Sequence, residues 1–244
     1  MINNFPFINV YEKNSFKSQV VTQLLYGDTF KEIKVLRSWI KIKNDTDGYI
    51  GYIKNKKFPK DKKNTHKIFV LSANLYSEPN IKYKIKKKLS YGSKIKAEKK
   101  KSSFYKCDNF WIKIKDCKKI NYKEKDIFKN IKDFVNTKYK WGGKHYSGID
   151  CSALIQLFLN NNNKFCPRDS KNQIKYFKKK VNLKNIKKYD LIFWKGHVAL
   201  ALSKDKLIHA YGPIKKVIIM SVHATIKKIV KTANLKVIGV RRII

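Results

Sequence analysis

Apolar and polar residues alternate in short runs over the first 120 positions, with turn residues between the runs, and this period of two predicts β-strands. The pattern occurs twice. Asn9-Val10-Tyr11 recurs as Asn74-Leu75-Tyr76, and Leu24-x-Tyr26-Gly27 recurs as Leu89-x-Tyr91-Gly92, both at an offset of 65 residues. Trp39-Ile40-Lys41-Ile42-Lys43 recurs as Trp111-Ile112-Lys113-Ile114-Lys115 at an offset of 72, after a seven-residue insertion. Two copies of so long a period are too few for a solenoid. They predict two small β-barrels, over 1–62 and 63–120, with the lysine-rich stretch 54–63 as the linker. Beyond them the period changes. Tyr122, Ile127, Phe128, Ile131, Phe134 and Val135 fall at helical spacing, which predicts a helix over 121–138 opening a third unit, 121–244. Residues 151–159 form an apolar run with no Gly or Pro and predict a buried helix. Residues 196–202 and 206–212 predict two short apolar strands joined by Ser203-Lys204-Asp205. The expected fold class is α+β.

Composition adds little to the fold and more to the surface. Of 244 residues, 43% are hydrophobic and 13% aromatic, enough to build cores rather than remain disordered. The formal charge is +40, yet only four of the 57 basic residues are arginine (Arg37, Arg168, Arg241, Arg242). Lysine spread so evenly has two readings, a coding bias or attraction to anionic polymers. Nucleic-acid recognition favours arginine and a recognisable module, and neither is present, so no nucleic-acid partner is expected. No run reaches the ~18 apolar residues of a membrane span. The N-terminal residues lack the basic and apolar regions of a leader, so a cytoplasmic location is expected for the chain as given. Four cysteines at irregular spacing (Cys107, Cys117, Cys151, Cys166) do not form a disulfide framework or a zinc spacing. No metal or cofactor is expected.

The candidate chemistry begins at Cys151. Glycines at 142, 143 and 148 loosen the chain up to Asp150, and the helix then starts at the cysteine. Free amides and the positive end of the helix dipole favour a thiolate there and lower its pKa. A lone cysteine in an apolar helix is more often a structural core residue, and a lone histidine on an apolar strand is usually a satisfied core residue too. Here Cys151 is followed by His197 and His209 on neighbouring strands, the order of nucleophile, base and orienting group. An odd loop length, three residues, would put both imidazoles on one face of the hairpin.

Several motifs run together: Tyr139-x-Trp141-Gly142-Gly143, Gly148-x-Asp150-Cys151-Ser152, Pro167-Arg168-Asp169-Ser170-x-x-Gln173, Asp190-Leu191-Ile192-Phe193, His197-Val198, Ile208-His209-Ala210 and Gly239-x-Arg241-Arg242. In these the last half of the chain resembles the NlpC-type, papain-like cysteine peptidases that cut bacterial peptidoglycan peptides. It departs at Ala153 and Tyr189, where that family usually has glycine. The resemblance implies a papain-like catalytic domain, a cysteine-bearing helix packed on an antiparallel sheet. It makes Cys151 the nucleophile, His197 the base and His209 its orienter, with the Cys151 amide and the Tyr139 hydroxyl as oxyanion donors. The first half resembles two bacterial SH3-like domains. That order of domains is similar to the murein tripeptide endopeptidases of the dipeptidyl-peptidase VI type. Their substrates carry a free N-terminal L-Ala and are cut between D-Glu and the diamino acid. The likeness then implies a substrate-binding set of Asp28, Tyr49 and Asp169 for the free amine. Trp141, Asp150, Ser152 and Ser170 stand around the nucleophile. The expected partner is a peptidoglycan-derived peptide. Two alternatives stay open at this level: an exported hydrolase of polymeric wall, and an inert wall- or partner-binding protein. His66, His145 and His223 receive no role.

Overall fold

The computed structural model describes residues 1–60 and 63–243. The first five strands are β1 (Phe7–Tyr11), β2 (Val20–Leu25), β3 (Phe30–Leu36), β4 (Trp39–Asn44) and β5 (Ile50–Lys54). They form one antiparallel sheet in the order β2-β1-β5-β4-β3. Val10, Leu24, Phe30, Ile42 and Ile53 supply its core. The next eight are β6 (His66–Ile68), β7 (Ser72–Tyr76), β8 (Lys84–Ser90), β9 (Lys94–Ile95), β10 (Lys99–Lys101), β11 (Phe104–Cys107), β12 (Phe110–Lys113) and β13 (Cys117–Lys119). These make a five-stranded sheet, β10-β11-β12-β7-β8, and a three-stranded one, β13-β6-β9.

No sheet among the described residues closes into a barrel, which corrects the expectation for both N-terminal units. The edges are managed in other ways. β3 exposes Lys31 and Lys34, β10 is three exposed lysines, and β8 exposes Lys84, Lys86 and Lys87. The edge of β2 is covered instead by the loop carrying Gly142 and Lys144. The internal repeat is visible in the backbone. Gly27 and Gly92 hold the same left-handed turn, at φ +80° and +84°. The two copies differ in strand order: β5 separates β1 from β4, whereas β12 pairs directly with β7. In the 54–63 stretch, Phe58 packs edge-on against Phe5 and Phe30, and Asp61 and Lys62 lie outside the described residues.

The helix expected over 121–138 does not form. Only Ile131–Phe134 make a 3₁₀ turn. Its neighbours run as overlapping turns, with amides of Lys129, Ile131, Asp133 and Val135 each reaching three residues back. The Asp126 carboxylate accepts from the Phe128 amide and draws the start into a side-chain turn, the usual competitor to a helix. Ile127, Phe128, Ile131 and Phe134 are nonetheless buried, so the apolar spacing served packing rather than a helix.

The remainder contains β14 (Lys144–His145), β15 (Gly148–Ile149), α1 (Cys151–Asn161), α2 (Ser170–Tyr176), β16 (Lys180–Val181), β17 (Leu191–Trp194), β18 (His197–Ala201), β19 (Lys206–Tyr211), β20 (Lys216–Ser221), α3 (Val222–Ala233) and β21 (Gly239–Arg241). Six strands form an antiparallel sheet in the order β16-β21-β17-β18-β19-β20. One face, with Phe193, Val198, Leu200 and Ile208, packs on α1 through Leu154 and Phe158. The other, with Ile192, Ala199 and Leu207, packs on Val222 and Ile229 of α3. Leu25, Phe69 and Tyr91 reach from the N-terminal sheets into the α1 core, where Tyr91 stacks on Phe158 at 4.8 Å between ring centroids. No helix among the described residues is long and apolar enough to cross a membrane.

Candidate active site

Asp150 caps α1, its carboxylate accepting from the Ala153 amide at 2.8 Å, so Cys151 is the first residue of the helix. The helix start is pinned further. Arg168 is buried and forks onto Asp150, Nη2 to Oδ2 at 2.6 Å and Nη1 to Oδ1 at 3.0 Å. The same guanidinium donates to the Ser152 hydroxyl and, across the unit boundary, from Nε to Thr22 Oγ1. Gln173 of α2 donates to the Ser152 and Pro167 carbonyls. The sequence by itself assigns no role to Arg168, Thr22 or Gln173; an arginine in a chain with only four is the available signal.

The β18–β19 hairpin turns through Ser203–Asp205, and Leu200 faces Ile208 while Ala201 faces Leu207. That register puts His197 and His209 on one face, and His197 Nε2 lies 2.9 Å from His209 Nδ1. The β18–β19 ladder stops at Leu200, leaving the Val198 amide free to donate to the Cys151 sulfur. The sulfur thus sits against the strand end that carries His197.

The electrostatics run against the low thiol pKa expected from the helix dipole. Burial, then the Asp150 carboxylate, pushes Cys151 up to about 12, outweighing the Val198 amide, Arg168 and the Ser152 amide. Burial holds His197 down to about 4, with Asp150 opposing, and burial plus His197 holds His209 down to about 3. Both shifts favour the uncharged forms, a thiol at Cys151 and a neutral imidazole at His197.

A cleft of about 450 Å³ opens above Cys151, and Tyr49, Tyr139, Trp141, Asp150, Ser152, Asp169 and Ser170 line it together with the nucleophile. Gln19, Val21, Lys171 and Lys195 line it as well and had no signal in the sequence. Burial, then Cys151 and Asp150, raises the Tyr139 pKa, so its hydroxyl stays a donor. Tyr49 crosses from the first sheet to place its hydroxyl 3.4 Å from Asp169 Oδ2. Burial raises the Asp169 pKa against the pull of Arg168 and Lys171, and its side chain does not cap α2. Trp141 is 54% exposed at the rim.

Asp28 is not in this cleft, which corrects the expectation that it joins Tyr49 and Asp169. It is a buried turn residue whose carboxylate accepts from the Leu25 amide at 2.9 Å and pairs with Lys94 at 3.0 Å and Lys144 at 3.8 Å.

Residues 136–234 match the model of the NlpC/P60 family, and residues 10–58 match that of the bacterial dipeptidyl-peptidase Sh3 domain. Residues 136–234 thus correspond to an NlpC/P60 domain, and the first sheet, within residues 10–58, to an SH3-like domain. Over 85 residues the chain is 33% identical to dipeptidyl-peptidase 6 of Lysinibacillus sphaericus, 35% of this chain and 31% of that protein. Over 81 residues it is 33% identical to a probable endopeptidase NlpC homolog of Haemophilus influenzae, 32% of this chain and 44% of that one. The matches thus span about a third to under a half of these relatives' lengths. In fold the whole chain resembles the crystal structure of an NlpC/P60 family protein from Bacillus cereus, with a TM-score of 0.81 at 18% identity over 99% of this chain and 98% of that one. The matched stretch contains Cys151 and Tyr139, which line the cleft together, and the His197–His209 pair.

Proposed function

We propose that the protein is a cysteine endopeptidase of peptidoglycan-derived peptides that cuts the bond between D-Glu and the diamino acid when the peptide begins with a free L-Ala. The observation that carries the reading is the Tyr49–Asp169 contact across the unit boundary, beside the Cys151 cleft. A half-buried carboxylate whose pKa is lifted by burial is a receptor for a cation, and a substrate ammonium would restore its charged form. Neither Asp28 nor any second carboxylate of the SH3-like domain shares that task in this reading.

The Cys151 thiol attacks the γ-carbonyl of D-Glu as His197 takes its proton, forming a tetrahedral oxyanion. The Cys151 amide and the Tyr139 hydroxyl donate to that oxygen, each such donor being typically worth about 3 kcal/mol. Collapse expels the diamino acid amine, which receives the proton from His197, and leaves a thioester on Cys151. Water, deprotonated by His197, then hydrolyses the thioester and returns the thiol. His209 holds the other imidazole nitrogen throughout.

The test uses three substrates: L-Ala-γ-D-Glu-diamino acid, its N-acetylated form, and intact sacculi. Cleavage of the free-amine peptide alone is the expected result. Equal cleavage of the acetylated peptide would remove the amine requirement, and lysis of sacculi would favour the wall-hydrolase alternative, which the +40 charge would help to dock. No cleavage of any of the three would leave the binding-module alternative.

A further inference from the structure

The line of contacts that begins at His197 does not end at His209. His209 is 1% exposed on β19, and its ring stacks on Tyr211 at 4.7 Å with 10° between planes, which fixes its orientation. Its Nδ1 faces His197 Nε2 at 2.9 Å, and its Nε2 faces the Sδ of Met220, on the adjacent strand β20, at 3.4 Å. A thioether sulfur accepts a hydrogen bond and has none to donate. That asymmetry decides where the single proton of a neutral His209 resides.

Two arrangements are open to the pair. In one, His209 carries its proton on Nδ1 and donates to His197. Its Nε2 lone pair then faces the sulfur lone pairs with no hydrogen between them. His197 must in turn carry its own proton on Nδ1, so the nitrogen needed as a base is already occupied. In the other, His209 carries its proton on Nε2 and donates to the sulfur. Its Nδ1 then accepts from His197 Nε2–H, and His197 Nδ1 is left with a lone pair for the thiol proton. Only the second satisfies every nitrogen and leaves a base.

We propose that Met220 is a positioning residue of this site: its thioether accepts the His209 Nε2–H and thereby sets the tautomers of both imidazoles. The inference rests on the cysteine–histidine chemistry of the NlpC/P60 domain and not on the identity of the peptide. It also explains how a buried histidine serves as an orienter without a carboxylate behind it. The third group is a weak acceptor that holds the proton in place without drawing positive charge onto His209, so the charge formed in the reaction stays on His197.

The experiment compares the parent with Met220→Leu, which keeps the volume and removes the acceptor, and Met220→Gln, which supplies an amide oxygen. Three readouts apply: ¹⁵N shifts of the labelled histidines, the rate of Cys151 alkylation by iodoacetamide, and kcat with KM on the peptide. Mass spectrometry separates Cys151 from Cys107, Cys117 and Cys166. The parent is expected to show both His197 and His209 protonated on Nε2. Met220→Leu should slow Cys151 alkylation and kcat by ~10-fold, part of the roughly 10²–10⁴ that a positioned base contributes, with KM and Tm little changed. Met220→Gln should recover most of that loss. A parent protonated on His209 Nδ1 overturns the proposal without any variant. So does a Met220→Leu protein with parental tautomers and rates, or equal losses in Leu and Gln, which would mean shape rather than hydrogen bonding. If the peptide is not cleaved even by the parent, alkylation and ¹⁵N shifts still decide, so the two failures are distinguishable.

Discussion

The guanidinium of Arg168 and the carboxylate of Asp150 form a two-pronged ion pair, with the side chains 2% and 9% exposed, directly beneath the nucleophile. Burying two charges is costly, and the pair stands because both hydrogen-bonding edges are filled: Asp150 by Ala153 and Gly142 amides, Arg168 by Ser152 and Thr22. Removing one partner strands the other. Arg168→Met is therefore expected to destabilise the protein by about 3–5 kcal/mol, measurable as a drop in the urea midpoint. Catalysis should fall as well, because the Asp150 cap that aims Cys151 loses its anchor. A loss of less than about 0.5 kcal/mol, the range of an ordinary surface substitution, would show that the pair is not integral to the fold.

Gly142 is where the catalytic loop meets the SH3-like domain. It adopts φ +70°, and a Cβ there would lie 2.4 Å from the Val20 carbonyl oxygen, a backbone atom that cannot turn aside. Gly196 has nearly the same dihedral, φ +74°, with nothing within 4 Å of an added Cβ. The two glycines separate strain from collision. Gly196→Ala should cost ~1 kcal/mol, the left-handed penalty alone. Gly142→Ala should cost clearly more, and should raise KM by moving Trp141 at the cleft rim. Thermal melts of both variants check this; equal losses would mean that the approach of the loop to Val20 is not close in solution.

How far the sequence could be read depends on the range of the forces involved. The Cys151 helix and the histidine hairpin were legible because apolar runs and loop parity are local. His197 and His209 share a face for the reason a three-residue loop requires. Closure of a barrel is not local. It depends on whether edge strands find each other, and here lysines on β3, β8 and β10 and the Gly142 loop over β2 make closure unnecessary. The stretch 121–138 misled because buried turns and a helix can share one apolar spacing, and Asp126 tips the choice by bonding its own downstream amide. Tyr189 shows a departure whose cost was invisible: it sits at φ +72°, where the family's usual glycine is at ease, and its hydroxyl is tied to Asp126. Asp28 misled for a different reason. Its partners Lys94 and Lys144 come from far along the chain, and in a chain with 57 basic residues no single lysine stands out.

Asp28 and Asp169 should separate cleanly by experiment. Asp28 is held between Lys94 and Lys144 away from the cleft, so Asp28→Asn is expected to lower stability, on the order of 3 kcal/mol, and to leave KM for the free-amine peptide unchanged. Asp169→Asn should do the reverse, raising KM by tenfold or more (roughly 1.4 kcal/mol) with little change in the melt. A KM increase in Asp28→Asn equal to that of Asp169→Asn would return Asp28 to the amine site.

Buried imidazoles give the stability curve its sign. Burial, then Lys140, holds His145 down to about 4, and burial is also the first cause at His197, about 4, and His209, about 3, each against an ordinary 6.5. Between pH 6.5 and 4 the unfolded chain therefore binds protons that the folded chain refuses. Folding stability must rise with pH across that window; it is fully present above 6.5 and is lost as pH falls toward 4. Urea midpoints at pH 7.0, 5.5 and 4.5 are expected to decline in that order. His145 lies outside the reacting pair, packed between Phe7 and Tyr146 with Nε2 buried and unpartnered among the described residues. His145→Phe keeps the ring contacts and removes one titrating group, so its midpoint should decline less steeply than the parent's. A parent midpoint that stays level from pH 7.0 to 4.5 would show that these imidazoles titrate as freely in the folded protein as in the open chain.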